Sequence, residues 1–222
     1  GKIAKELFEN ANLLLDEIIE KKMLQANVAY GFWPANSVKD DIILYKDEKR
    51  ADELVRFNML RQQKIRAGVT LSLSDFIAPK DSTKDDYIGA FAVTAGINAG
   101  KLSADYENKN DDYKSIMVKT LADRLAEALA ELMHQRVRKE WGFSDNKEMT
   151  NEDLIREKYR GIRPAFGYPA CPNHEEKEKL FEILNAKKIG MDLTENYSMT
   201  PAASVSGLYF ANENAKYFSI ES

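Results

Sequence analysis

Ten residues, Arg163-Pro164-Ala165-Phe166-Gly167-Tyr168-Pro169-Ala170-Cys171-Pro172, hold the densest chemistry in the chain. Three of its six prolines fall here, together with its only cysteine. Proline fixes φ and offers no backbone donor, so neither helix nor central strand suits the stretch. A stiff loop does. Arg163 carries a planar guanidinium fork that takes both oxygens of a carboxylate at once. Tyr168 offers either its hydroxyl or a ring face for a cation. Gly167 lets backbone approach closely, and Phe166 and the prolines restrict the loop, which lowers the ordering cost of binding. On residue type alone the stretch serves equally well as a ligand loop or as a crossover between two helices.

Other residues could carry chemistry, and most have a plainer reading beside it. Asp123 and Glu127 are four apart and share a helix face, where such a pair is ordinarily solvated. Glu157 is a further carboxylate shortly before the Arg163 loop. Glu131-x-x-His134 has the spacing of half a di-iron carboxylate site, but a second Glu-x-x-His is missing, and no metal site is expected. Cys171 has no partner cysteine and reads as a buried, inert thiol. No Gly-x-Gly-x-x-Gly follows a strand, so a Rossmann-type nucleotide site has no support.

The Arg-x-x-x-Gly-Tyr and Pro-Ala-Cys-Pro pattern resembles the S-adenosylmethionine-binding motif of the C-terminal activation domain of cobalamin-dependent methionine synthase. The likeness continues through Phe32-Trp33-Pro34-Ala35-Asn36, Leu60-Arg61-Gln62-Gln63, Asp75-Phe76-Ile77-Ala78-Pro79, the run from Asp86 to Thr94, Ala122 to Ala128, and Ala203 to Gly207. It implies an S-adenosylmethionine site with no catalytic acid or base of its own. Such a ligand needs a cationic fork, a carboxylate, an aromatic face and backbone groups for its adenine edge. The resemblance assigns Arg163, Ala165, Gly167, Tyr168 and Ala170 to that site, with Glu127 at the ammonium end. Tyr217 and Phe218 match an aromatic pair used against the adenosine end; the family commonly has two tyrosines there. Asp123 matches a position facing the cobalamin module, and Glu157 is a second carboxylate candidate. The implied activity is reactivation within cobalamin-dependent methionine synthase: S-adenosylmethionine remethylates oxidised cob(II)alamin. The cobalamin is carried by a partner module, with an electron from a flavodoxin-like or diflavin reductase. A stand-alone S-adenosylmethionine-binding or corrinoid-protein interaction module is the alternative. The resemblance also implies a cytoplasmic setting and a domain truncated at both ends over residues 1–222.

The elements that must position these residues can be read from periodicity. Residues 2–24 predict a helix, with Ile3, Leu7, Ala11, Leu14, Leu15, Ile18 and Ile19 on one face. Val28, Tyr30 and Phe32 alternate as a strand that Pro34 should stop, with Ala35-Asn36-Ser37 as loop. Asp40–Tyr45 and Leu54–Phe57 predict two more strands. Residues 87–94 suit a central strand buried on both faces. Asn98 to Asn110 reads as mixed and polar. Residues 111–140 predict a long helix with a stripe of Met117, Leu121, Leu125, Leu129 and Leu132. Thr150 begins a capping box for a helix through Tyr159, and Asn173 caps one from His174 to Lys188, with Gly190 beyond its end. Leu193–Met199, Gly207–Phe210 and Tyr217–Ile220 predict short strands, the last two joined by a turn at Asn212-Glu213-Asn214. The sum is a single α+β domain: a mainly antiparallel twisted sheet with a long central helix and flanking helices.

Composition excludes some functions. The 222 residues are 44% hydrophobic and 31% charged, with a net charge of −4. That balance makes no electrostatic case for nucleic acid. No apolar run approaches the ~20 residues a membrane span needs. A single cysteine fits a reducing compartment.

Overall fold

The alternation at Val28, Tyr30 and Phe32 does open a strand, and the strand outlasts its proline. The computed structural model describes residues 1–64, 68–145 and 149–221, and in it β1 covers Gln25–Val38. The expected stop at Pro34 and loop at Ala35-Asn36-Ser37 are thereby corrected. The pairing of β1 with β2 (Asp41–Tyr45) begins at Ala35 opposite Leu44. Pro34 lies just outside that ladder, where its missing N–H is not needed. β2 pairs antiparallel with β3 (Glu53–Asn58). β4 (Asp86–Ile97) is buried from Ile88 to Gly96, as its small apolar run predicts. With β7 (Ser204–Tyr209) these strands form a five-stranded sheet in the order β3-β2-β1-β4-β7. A separate antiparallel pair joins β5 (Asp192–Leu193) and β6 (Met199–Thr200).

The chain falls into two compact units. The first comprises Gly1–Val28, Val93–Ala130 and Ala186–Val205; the second comprises Ala29–Ala92, Glu131–Asn185 and Ser206–Ser222.

In the first unit, α1 (Lys2–Glu20) ends at a left-handed Lys22, and Met23 N–H closes the last turn on Ile18 O. Of its predicted apolar face only Leu14 and Ile18 are buried; Ile3 and Leu7 are exposed. Leu14 and Ile18 join a core with Ala95, Leu102, Met117, Val118, Ala122 and Ala126. Each such burial of a Leu or Ile side chain is worth about 2 kcal/mol. α2 (Ala99–Glu107) is a helix where the sequence reads as mixed, because Ala99, Leu102 and Ser103 bury one short face. α3 (Asp112–Glu140) has the predicted length, but its buried row is Val118, Ala122, Ala126 and Ala130. The leucine stripe flanks that row, and Leu132 remains exposed. Small side chains four apart form a shallow ridge that packs closely, which leaves the longer leucines at the margin.

In the second unit, Thr150 and Asp153 make the predicted capping box, but α4 (Asn151–Ile155) stops well before Tyr159. Glu157 then adopts a left-handed backbone. The Asn173 side chain accepts from Glu175 N–H, and α5 (Glu176–Leu184) starts two residues later than predicted and ends before Lys188. Residues 217–220 form no strand. Asn212 instead accepts from Asn214 N–H and donates to Phe76 O, and Ile220 N–H bonds Pro169 O. No helix among the described residues is long and apolar enough to cross a membrane.

Candidate ligand-binding site

The Arg163 stretch is a loop, and β7 fixes its start. Leu208 N–H donates to Pro164 O at 3.0 Å, and Phe210 N–H donates to Ile162 O at 3.1 Å. That approach needs a glycine on the strand, because a Cβ at Gly207 would lie 2.4 Å from Pro164 O. Within the loop, Tyr168 N–H bonds Ala165 O, Gly167 N–H bonds Cys171 O, and Cys171 N–H bonds Tyr168 O. Gly167 has φ +94°, and a Cβ there would run into the His174 ring. Phe166 is buried and stacks on Phe57 of β3 at 5.5 Å. The loop is thus tied to two strands before any ligand arrives.

Arg163 points inward from this loop and is held on two sides. Its Nη2 lies 2.9 Å from Glu131 Oε2. Its Nη1 donates to the Tyr159 hydroxyl at 2.6 Å and meets His134 Nδ1 at 3.2 Å. Arginine only donates, so His134 Nδ1 must be the lone-pair nitrogen, which fixes a neutral imidazole protonated on Nε2. Burial pushes the His134 pKa down to about 2, with the Arg138 and Arg163 charges adding to the effect. Burial opposes the charge on Arg163 as well, but Tyr159 and Glu131 outweigh it and its pKa ends raised. The guanidinium therefore stays a cation in a half-dry setting. Around it, Arg138 sits 4.1 Å over the Tyr159 ring, and His134 stacks on Tyr209 at 5.2 Å. Glu131 Oε1, Arg138 Nη1 and the Tyr209 hydroxyl are buried polar atoms that find no partner among the described residues.

The remaining loop residues divide by exposure. Tyr168 is 64% exposed, so its ring is open to a ligand. Ala170 is buried, and Ala165 O is occupied by Tyr168 N–H and the Cys171 thiol. Burial raises the Cys171 pKa to about 12, which matches the inert thiol expected from sequence. Tyr217 is brought to the loop: its hydroxyl accepts from Arg163 N–H at 3.0 Å. Phe218 is half-buried, with its ring edge-on to Phe76. Glu157 is exposed and is not among the ion-pair or hydrogen-bond partners of Arg163 in the described residues.

In the first unit, Asp123 and Glu127 line a cavity of about 360 Å³ with Thr120, Arg124, Ala202 and Ser204. Both carboxylates project from the exposed side of α3. The small run facing them is pinned to β4: Ala203 O accepts from Ala95 N–H and from the Thr94 hydroxyl. Ala202 and Ser204 are thus cavity wall, whereas Ala203 is a structural tie.

Sequence reasoning missed the partners of Arg163. Glu131 and His134 have the spacing of half a metal site, but both turn to the guanidinium. Their three-residue spacing on one helix face was the available signal. Nothing in the sequence pointed to Tyr159.

Comparison with known proteins bears on the family and the fold. The family described as "Vitamin B12 dependent methionine synthase, activation domain" matches residues 1–222. A crystal structure of the MetH reactivation domain bound to AdoHcy superposes with a TM-score of 0.96 at 50% sequence identity. The match covers 99% of this chain and 69% of that one. The fold anticipated from the sequence, a mainly antiparallel sheet with helices, is that domain's fold. The chain belongs to the activation-domain family of vitamin B12-dependent methionine synthase.

Proposed function

We propose that this chain binds S-adenosylmethionine and holds its methyl group for the reductive remethylation of oxidised cobalamin in methionine synthase. One observation carries the reading: the close match to a reactivation domain bound to AdoHcy, the demethylated form of that ligand. Arg163 takes the ligand's carboxylate, since it is a fixed and charged fork at the mouth of a rigid loop. Glu127 takes the ammonium. Tyr168 and the backbone at Ala165, Gly167 and Ala170 cover the rest, with Tyr217 and Phe218 at the adenosine end. Asp123 faces the cobalamin-bearing partner module, and Glu157 is a supporting carboxylate. Cobalamin, when docked, supplies the cobalt that accepts the methyl group, and a flavodoxin-like or diflavin reductase supplies the electron. This chain's own task is to orient the methyl donor and shield it from water, for which no acid or base is required. It is then a cytoplasmic part of an enzyme, inactive by itself.

The test mixes the chain with a cobalamin-binding module carrying oxidised cobalamin, S-adenosylmethionine and a one-electron reductant. The visible spectrum of the cobalamin reports the outcome. Spectral conversion should require both the chain and the ligand. Conversion at the same rate without the chain would contradict the proposal.

A further inference from the structure

Tyr159 lies outside every motif that led to the ligand loop, yet it makes the shortest bond to the residue on which that loop depends. Its hydroxyl is 2.6 Å from Arg163 Nη1, and the residue is buried to 7% exposure. Its ring is wedged between Arg138 above and the His134 edge, so the hydroxyl has little freedom. His134 Nδ1 takes the second hydrogen of the same Nη1. Glu131 Oε2 lies 2.9 Å from Nη2 as an ion pair, without the alignment of a hydrogen bond. Among the described residues, neither Nε nor Nη2 donates a hydrogen bond, so these are the donors left over. Nε–H and the Nη2 hydrogen beside it form the side-on edge that a carboxylate meets with both oxygens.

We infer that Tyr159, with His134 and Glu131 as its helpers, is a positioning residue that locks the Nη1 side of Arg163 and presents the Nε–Nη2 edge to the ligand's carboxylate. The inference rests on the proposed role of Arg163 and deepens it. A flexible arginine loses side-chain freedom on binding, and an arginine held in advance has already lost it. Glu131 supplies the charge that keeps a buried cation acceptable, while Tyr159 supplies the direction. Glu131 pairs by charge at Nη2 and its Oε1 finds no hydrogen-bond partner among the described residues, so no hydrogen bond to Glu131 closes the edge.

The experiment is a binding titration of the whole chain with two ligands. One is S-adenosylhomocysteine, which has the carboxylate; the other is 5′-methylthioadenosine, which lacks the amino-acid end. Tyr159→Phe keeps the ring and its packing and removes only the hydroxyl. It should weaken S-adenosylhomocysteine about tenfold and leave 5′-methylthioadenosine unchanged. Equal weakening of both ligands would mean a merely structural role and overturn the inference, as would no change in either. Arg163→Lys is measured alongside. If it weakens S-adenosylhomocysteine while Tyr159→Phe does not, the positioning role alone fails. If Arg163→Lys changes nothing, the ligand site itself is misplaced. Should Tyr159→Phe unfold, Glu131→Gln answers the same question, with the same ligand-selective loss expected.

Discussion

His134 is a buried imidazole held neutral between two arginines, and that makes it a reporter on the whole Arg163 cluster. In the unfolded chain it takes a proton near its ordinary value of 6.5; in the folded chain its pKa is pushed down to about 2. Between those values the unfolded state binds more protons, so acid favours unfolding. The contribution is complete above pH 6.5 and is lost as pH falls, at up to about 1.4 kcal/mol per unit. His134→Gln keeps an acceptor for Arg163 and removes the titration. We expect thermal melts from pH 7 to pH 4 to fall less steeply for the variant than for the parent. Parallel curves would mean that His134 is charged in the fold. At this scale the sequence was legible only in part. Arg163, Gly167 and Tyr168 stood out because proline, glycine and arginine are unusual together. Tyr159, between Lys158 and Arg160, did not, and His134 stood out only beside Glu131 as half of a metal pattern, because neither shows its partner until the chain is folded.

Among elements, the decisive one for the site is β7, which runs against the loop at van der Waals distance. Gly207→Ala would drive a methyl group into Pro164 O, and neither backbone can easily yield because Leu208 and Phe210 bond the same segment. Overpacking of this kind costs about 1–3 kcal/mol, so the variant should melt several degrees lower. S-adenosylmethionine binding should weaken with it, because the displaced segment begins with Arg163. A variant with parental melting temperature and affinity would show that the loop is not anchored there. The long helix, the capping box at Thr150 and the buried strand β4 were all readable from periodicity and composition. The reach of β1 past Pro34 was not, because strand pairing is non-local and the ladder begins only at Ala35. The buried row of α3 was misjudged for a related reason. Hydrophobicity ranks leucine above alanine, whereas close helix packing selects the small row and leaves Leu132 in solvent.

For the whole molecule, two kinds of information met. Composition and charge excluded classes of partner, and the order of short motifs along the chain pointed to one family, which the full-length match then showed. What pattern alone could not supply was the state of the key arginine. It is pre-engaged with Glu131, Tyr159 and His134, so under the proposed assignment a carboxylate would meet a fork already held in place. That makes the arginine's geometry, more than its charge, the quantity to vary. Lysine at 163 retains a cation opposite Glu131, so the buried carboxylate keeps a partner and the fold should hold, but it cannot form a planar fork. The measurement is titration calorimetry of the parent chain and Arg163→Lys with S-adenosylmethionine, with thermal melts confirming that both are folded. The account predicts saturable binding by the parent and at least tenfold weaker binding by the variant. Equal affinity for the two, or no binding by the folded parent, would contradict it.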